Sequence, residues 1–145
     1  MIFISHRGNI DGRIENKENN PDYIKEALNQ GYDVEIDVWY QSGYYFGHNC
    51  PTYEIDISFL LQSRLWIHAK NIAALYELKN ITNCFFHKND DAVLTSTGYI
   101  WTYPGYPLTN KSICVMPETV NYSNDQLKNC YGICSDEIKR FKNIL

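Results

Sequence analysis

Tyr32–Tyr40 reads YDVEIDVWY, and the pattern of this stretch decides the fold. Val34, Ile36 and Val38 alternate with Asp33, Glu35, Asp37 and Trp39, a period of two that predicts a strand with one apolar and one largely polar face. Glu35 and Asp37 then project from the same face, about 7 Å apart along the strand. Carboxylates so placed repel one another unless a cation or a shared proton lies between them, and strand propensity gives no reason for the pair. A half-exposed strand with a solvated acidic face explains the pattern equally well when the strand is taken alone. The flanking motifs, Ser5-His6-Arg7-Gly8-Asn9 before it and Tyr45-Phe46-Gly47-His48-Asn49 after it, favour a functional site.

Working outward, Ile2–Ile4 is a short buried-strand pattern that stops at His6 and Arg7, with Gly8 able to turn the backbone sharply. Asn20-Pro21 signals a helix start, Ile24, Ala27 and Leu28 keep helical spacing, and Gly31 ends the helix. Strand, loop, helix and strand in this order indicate parallel pairing and an α/β fold. Leu65–Ala69 predicts the next strand, with Lys70 at its end. Ile72, Leu75 and Tyr76 mark a helix, and Cys84–Phe86 a fourth strand. Ala92–Thr95 and Tyr99–Tyr103 are separated by three residues, too few for a parallel crossover, so they predict an antiparallel hairpin. Two further strands end at Pro117-Glu118 and Ser135-Asp136, and Ile138, Phe141 and Ile144 give a closing helix. Polar residues thus gather at strand ends, where parallel α/β proteins build their sites.

Composition narrows the function classes. The 145 residues suit one domain, residues 1–145, and 44% hydrophobic content is globular rather than disordered. A net charge of -4 without a basic run argues against a nucleic-acid surface. No apolar run is long enough for a membrane span, and the N-terminus lacks a signal-peptide pattern. Five scattered cysteines without a CxxC are expected to be reduced, mostly buried thiols of a cytoplasmic protein.

His6-Arg7-Gly8, Glu18-Asn19-Asn20, Glu35-Ile36-Asp37 and Gly47-His48-Asn49 follow one another as do the HRG, ENT, ExD and HD motifs of glycerophosphodiester phosphodiesterases. Leu65–Lys70 resembles the L-x-I-E-x-K strand of that family, and Gly132–Asp136 its closing G-I-x-T-D. The family belongs with the phosphatidylinositol-specific phospholipase C-like phosphodiesterases. The resemblance implies a TIM-type barrel, metal-dependent hydrolysis of a phosphodiester, and a small phosphodiester as the partner molecule. It implies His6 and His48 as general acid and base, because imidazole titrates near neutral pH. Arg7 and Lys70 are implied as phosphate-binding residues, and Glu35 and Asp37 as ligands of a divalent cation, Mg²⁺ or Ca²⁺ foremost.

Three features depart from the family pattern. His68 stands where the family has a metal-binding Glu; alternation on the strand puts it on the same face as Trp66 and Lys70, so it is a candidate third ligand, and its softer imidazole admits Mn²⁺ or Zn²⁺. Asn49 replaces the acid after His48, which leaves the partner of His48 open. The chain is also shorter than the roughly 200–250 residues of a full barrel. The expected architecture is therefore a reduced, irregular TIM-type β/α barrel lacking helices in its second half, with an open α/β sheet as the alternative. Cleavage ending at a cyclic phosphate, or phosphate-ligand binding without catalysis, are the alternative functions. Arg7 and Lys70 as plain salt-bridge partners, Glu18 as part of a helix start, Trp101 as core, and His87 and Glu118 as solvated strand ends are the corresponding structural readings. The sequence leaves oligomeric state open.

Overall fold

The computed structural model describes residues 1–145. Ten strands form one mixed sheet, accompanied by five short α-helices. Strands β1 (Ile2–His6), β2 (Asp33–Tyr40), β5 (Leu65–Ala69) and β6 (Cys84–Phe85) run parallel, β1 pairing β2, β2 pairing β5 and β5 pairing β6. On the other side of β1 lies β10 (Gly132–Ser135), then β9 (Ser112–Val115) and β8 (Ile100–Thr102), also parallel. The remaining strands are antiparallel: β3 (Tyr44–Phe46) and β4 (Tyr53–Ile55) extend from the end of β2, and β7 (Ala92–Leu94) is the hairpin partner of β8.

The helices start where the side chains dictate. In α1 (Pro21–Asn29) the Asn20 side chain accepts from the backbone N–H groups of Asp22 and Tyr23, and Pro21 fills the first turn. Helix α2 (Ile57–Leu60) is capped by Asp56, whose side chain accepts from the Ser58 N–H. Asn71 caps α3 (Ile72–Leu78) and also exchanges two hydrogen bonds with the Tyr40 backbone, tying the helix start to β2. A one-turn 3₁₀ segment, Pro117–Thr119, and α4 (Asn124–Lys128) lie between β9 and β10, and α5 (Ile138–Ile144) closes the chain. Strand β4 and helix α4 have no clear signature in the sequence. A three-residue strand is too short to show a period, and α4 exposes all but Leu127.

The alternation in β2 separates two cores. Val34, Ile36 and Val38 pack outward against Ile24, Ala27 and Leu28 of α1 and Leu78 of α3. The opposite face of the sheet curves around a smaller cluster of Ile4, Trp66, Phe85, Trp101, Ile113, Val115 and Cys134, drawn from six strands. No helix is long and apolar enough to cross a membrane.

The TIM-type barrel expected from the motifs does not form: the sheet is open. Strand β6 is only two residues long and pairs with β5 alone. Between it and the β7–β8 hairpin run no ladder bonds, only links through Ser96, whose N–H donates to the Cys84 carbonyl at 2.8 Å and whose Oγ accepts from the Cys84 N–H at 2.9 Å. A barrel requires every strand to be paired on both sides with a consistent stagger, and a two-residue strand cannot supply that second ladder. The Phe85 ring stacks on Trp101 at 4.5 Å and fills the inner side of this gap with side chains instead.

Candidate active site

The residues singled out by the motifs come together at the carboxyl ends of the parallel strands. The β1–β2 register sets His6 opposite Glu35, and the β2–β5 register sets Asp37 opposite His68. Because β2 and β5 share their inward face, Glu35, Asp37, His68 and Lys70 all turn towards the concave side. His48 is delivered by the β3 segment, which folds back antiparallel along β2. His6, Arg7, Glu35, His48, His68 and Lys70 line one cavity of about 560 Å³. Asp37 lies beneath it, fully buried, in contact with four of them.

The turn after β1 is strained in a way that aims Arg7. Arg7 has φ 53 and Gly8 φ 93, two successive left-handed residues. A Cβ on Gly8 would stand 2.6 Å from the Tyr23 ring, so only glycine fits between the turn and α1. The Arg7 backbone is held on both sides, its N–H donating to the Glu35 carbonyl at 2.9 Å and its carbonyl accepting from the Asn19 N–H at 3.1 Å. The guanidinium then spans two carboxylates, with Nε 2.9 Å from Asp37 Oδ2 and Nη1 3.2 Å from Glu18 Oε2. Glu18 also accepts from Asn9 and Arg13, each at 3.0 Å. It orients Arg7 and takes no part in starting α1.

Each histidine of the motifs stands on its own carboxylate. His6 Nδ1 is 2.8 Å from Asp136 Oδ1, and His48 Nδ1 is 3.1 Å from Asp37 Oδ2. An ionised carboxylate only accepts, so these contacts assign the Nδ1–H tautomer to both rings and leave Nε2 free. His6 Nε2 faces Glu35, 3.8 Å from Oε2, and His48 Nε2 lies 3.5 Å from an Arg7 Nη2 donor. Asp37 replaces the acid that Asn49 cannot supply. Asp136 is fixed in turn by Asn9 Nδ2 at 2.8 Å and by its own N–H, which donates to Glu118 Oε1 at 3.0 Å. Glu118 therefore braces the β10 end and is no solvated terminus.

The two central carboxylates have opposite surroundings. Asp37 meets Asn19 Nδ2 and Arg7 Nε, each at 2.9 Å, as well as His48 on Oδ2. On Oδ1 it meets His68 Nδ1 at 3.0 Å and Lys70 Nζ at 3.2 Å, both at ion-pair range but out of line for a hydrogen bond. Burial alone would raise its pKa; the His48 and His68 contacts and the Arg7 charge overcome this and hold Asp37 well below the usual carboxylate range. Glu35 is as buried but its carboxylate accepts no hydrogen bond, the nearest basic nitrogens being those of the His6 and His68 imidazoles at 3.8 and 3.9 Å. Burial, reinforced by the charge of Asp37, pushes its pKa up. For His6, burial works downward but the Asp136 hydrogen bond and the Glu35 charge outweigh it, so its pKa is raised.

Compared with known proteins, the chain matches no family model, no curated protein and no solved structure.

Donor atoms of Glu35, Asp37 and His68 lie within 4.8 Å of one another, and Glu35 Oε2 and Asp37 Oδ1 are buried oxygens with no hydrogen bond. Native interiors rarely leave such oxygens unpaired. Two carboxylates balance one divalent charge, and the mixed oxygen and nitrogen set suits Mg²⁺, Mn²⁺ or Zn²⁺. These three residues could therefore hold a divalent cation. A second His–carboxylate group, His6, Glu18 and Asp136, is already joined by Asn9, Arg7 and Arg13 and offers no comparable opening.

The wall opposite the histidines was not legible from the motifs. His68 stacks on Phe85 at 5.2 Å and on His87 at 4.4 Å, with Phe85 and His87 themselves 6.3 Å apart, and His87 packs on Tyr103 at 4.4 Å. Burial, with His68 and Lys70 close by, lowers the His87 pKa to about 4. Trp101 is buried in the inner cluster and forms the floor of the cavity, so the core reading of this residue holds. Asp136 and Asn19 sit within quoted motifs, but only the adjacency of β10 to β1, and of the 9–20 loop to β2, brings them to the histidines.

Proposed function

We propose that the chain cleaves a small phosphodiester, with divalent-metal assistance and a pair of histidines as acid and base. One observation carries the reading. Two imidazoles, His6 and His48, each hold Nδ1 on a carboxylate and present Nε2 to a cavity that also contains Arg7 and Lys70. Binding a phosphate calls for cations; two separately oriented imidazoles suit proton transfer to and from two oxygens. The motif resemblance to glycerophosphodiester phosphodiesterases supports the same reading.

His48, its Nε2 lying 3.5 Å from Arg7 Nη2, is the base that takes the proton of the attacking hydroxyl or water. His6, with its raised pKa, is the acid that gives a proton to the departing alcohol oxygen. Arg7 and Lys70 face the non-bridging phosphoryl oxygens and stabilise the charge that gathers there. Asp37 orients His48 and Arg7 together; Asp136 orients His6. A divalent ion on Glu35, Asp37 and His68 supplies Lewis-acid polarisation of a phosphoryl oxygen when bound. A cytoplasmic location belongs to the same proposal, in keeping with five free thiols, four of them buried.

The test is a panel of glycerophosphodiesters incubated with the protein, with and without EDTA, followed by phosphorus NMR of the products. Release of a monoester supports hydrolysis, and accumulation of a cyclic phosphate supports a lyase-type end point. Absence of any cleavage with every divalent ion would overturn the enzymatic reading in favour of ligand binding alone.

A further inference from the structure

Three cations and one acid line the cavity: Arg7, Lys70 and Lys88 against Glu35. Arg7 and Lys70 are committed to Asp37, at 2.9 and 3.2 Å. Lys88 is not committed. It lies in the loop after β6, with Phe86, Asn89 and Pro104 beside it on the cavity wall, and no carboxylate comes within ion-pair distance of its ammonium. Asp90, two residues on, accepts the Lys88 backbone N–H at 3.3 Å instead. The cavity wall at Lys88, next to His87, therefore carries a cation with no carboxylate at ion-pair distance; Asp90 is close enough for its charge to act on His87 and Tyr103 but does not itself line the cavity.

Such a wall repels a cationic group and favours a second anion. We propose that the molecule recognised here carries a second anionic group on its alcohol part, phosphate or carboxylate, and that Lys88 receives it while Arg7 and Lys70 hold the scissile phosphate. The inference rests on the phosphodiesterase reading for which group is the scissile one. A choline- or ethanolamine-like alcohol is the class that this wall selects against, because its ammonium would face the like charge of Lys88.

The experiment is calorimetric binding, independent of turnover. Bisphosphates of straight-chain alkanediols with three to six carbons are compared with alkyl monophosphates of equal length, at low and at 0.5 M salt. In the wild type at low salt, at least one bisphosphate is expected to bind about twofold to fivefold more tightly than its monophosphate, a preference of the size that one partly exposed ion pair gives. The preference should shrink at high salt. Lys88→Gln should lose it, and Lys88→Glu should reverse it. Equal affinities in the wild type, or a preference that survives Lys88→Gln, overturns the proposal. So does an equal loss for mono- and bisphosphates in Lys88→Gln, which would place Lys88 on the single phosphate. Binding with this preference but without cleavage of any diester would leave the second-anion site standing and remove the catalytic reading. Cleavage without the preference would do the reverse.

Discussion

Glu35 and Asp37 stand two residues apart on one face of β2, yet the Asp37 carboxylate is surrounded by five nitrogen donors and the Glu35 carboxylate accepts no hydrogen bond. Asp37 organises the site, gathering Arg7, His48, His68 and Lys70 around one buried charge. Glu35 is held in reserve, buried at a cost that a cation would offset.

In metal-free protein the two substitutions should differ in stability. Asp37→Asn leaves Arg7 and Lys70 facing a neutral amide, and loss of one partner of a buried ion pair costs about 3–5 kcal/mol. Glu35→Gln should cost nothing or stabilise, because the ionised Glu35 is disfavoured where it sits. Urea unfolding at neutral pH measures both, and a larger loss for Glu35→Gln than for Asp37→Asn would contradict the assignment.

The same asymmetry gives a pH dependence. Asp37 is depressed in the folded state, so its stabilisation is complete above the unfolded value of about 3.9 and is lost as pH falls through the lower folded value. Glu35 is raised, so the folded state holds its proton to higher pH than the unfolded chain, and its charge opposes folding as pH rises through the folded value. Unfolding free energy measured from pH 7 downward should fall more steeply below about pH 4 in wild type than in Asp37→Asn.

Metal binding should depend on Glu35 and His68 together. Titration with Mg²⁺, Ca²⁺, Mn²⁺ and Zn²⁺ is expected to show affinity in the wild type, a loss of about tenfold or more in Glu35→Gln, and in His68→Ala a selective loss for Mn²⁺ and Zn²⁺, which prefer imidazole over water. If His68→Ala binds every ion as the wild type does, His68 is no ligand and serves only as a ring stacked on Phe85 and His87.

Replacing either His6 or His48 by Asn should lower kcat by about 10²-fold or more. The double variant should fall well short of the product of the two losses, since the residues act as one unit. A double variant with near-wild-type turnover would remove both from the chemistry.

Asp136→Asn separates orientation from charge. His6 must be protonated to act as the acid, so its pKa sets the alkaline limb of the rate profile. The hydrogen bond and charge of Asp136 raise that pKa. Their loss lowers it, and the alkaline limb of kcat against pH should move towards lower pH, with a reduced maximum. An unmoved limb would show that Asp136 does not act through His6.

Alternation in YDVEIDVWY and in LWIHAK was enough to put Glu35, Asp37, His68 and Lys70 on one face, and the apolar partners Val34, Ile36, Leu65 and Ile67 on the other. Those placements follow from a period of two, which is local and survives any tertiary arrangement. The cap of α1 and the sharp turn at Gly8 were legible for the same reason. Closure of the sheet was not. It depends on whether the edge strands β6 and β7 meet over a long enough run to form a ladder, a property of two separate segments and of the curvature of the whole sheet, and two residues of β6 proved too few. Likewise the motifs supply His6 and His48, but their carboxylates, Asp136 and Asp37, are assigned by strand adjacency: β10 beside β1, and the β3 return along β2. Hydrogen-bond partners separated by 130 residues, as His6 and Asp136 are, carry no mark of one another in the sequence, because only the folded sheet brings them to 2.8 Å.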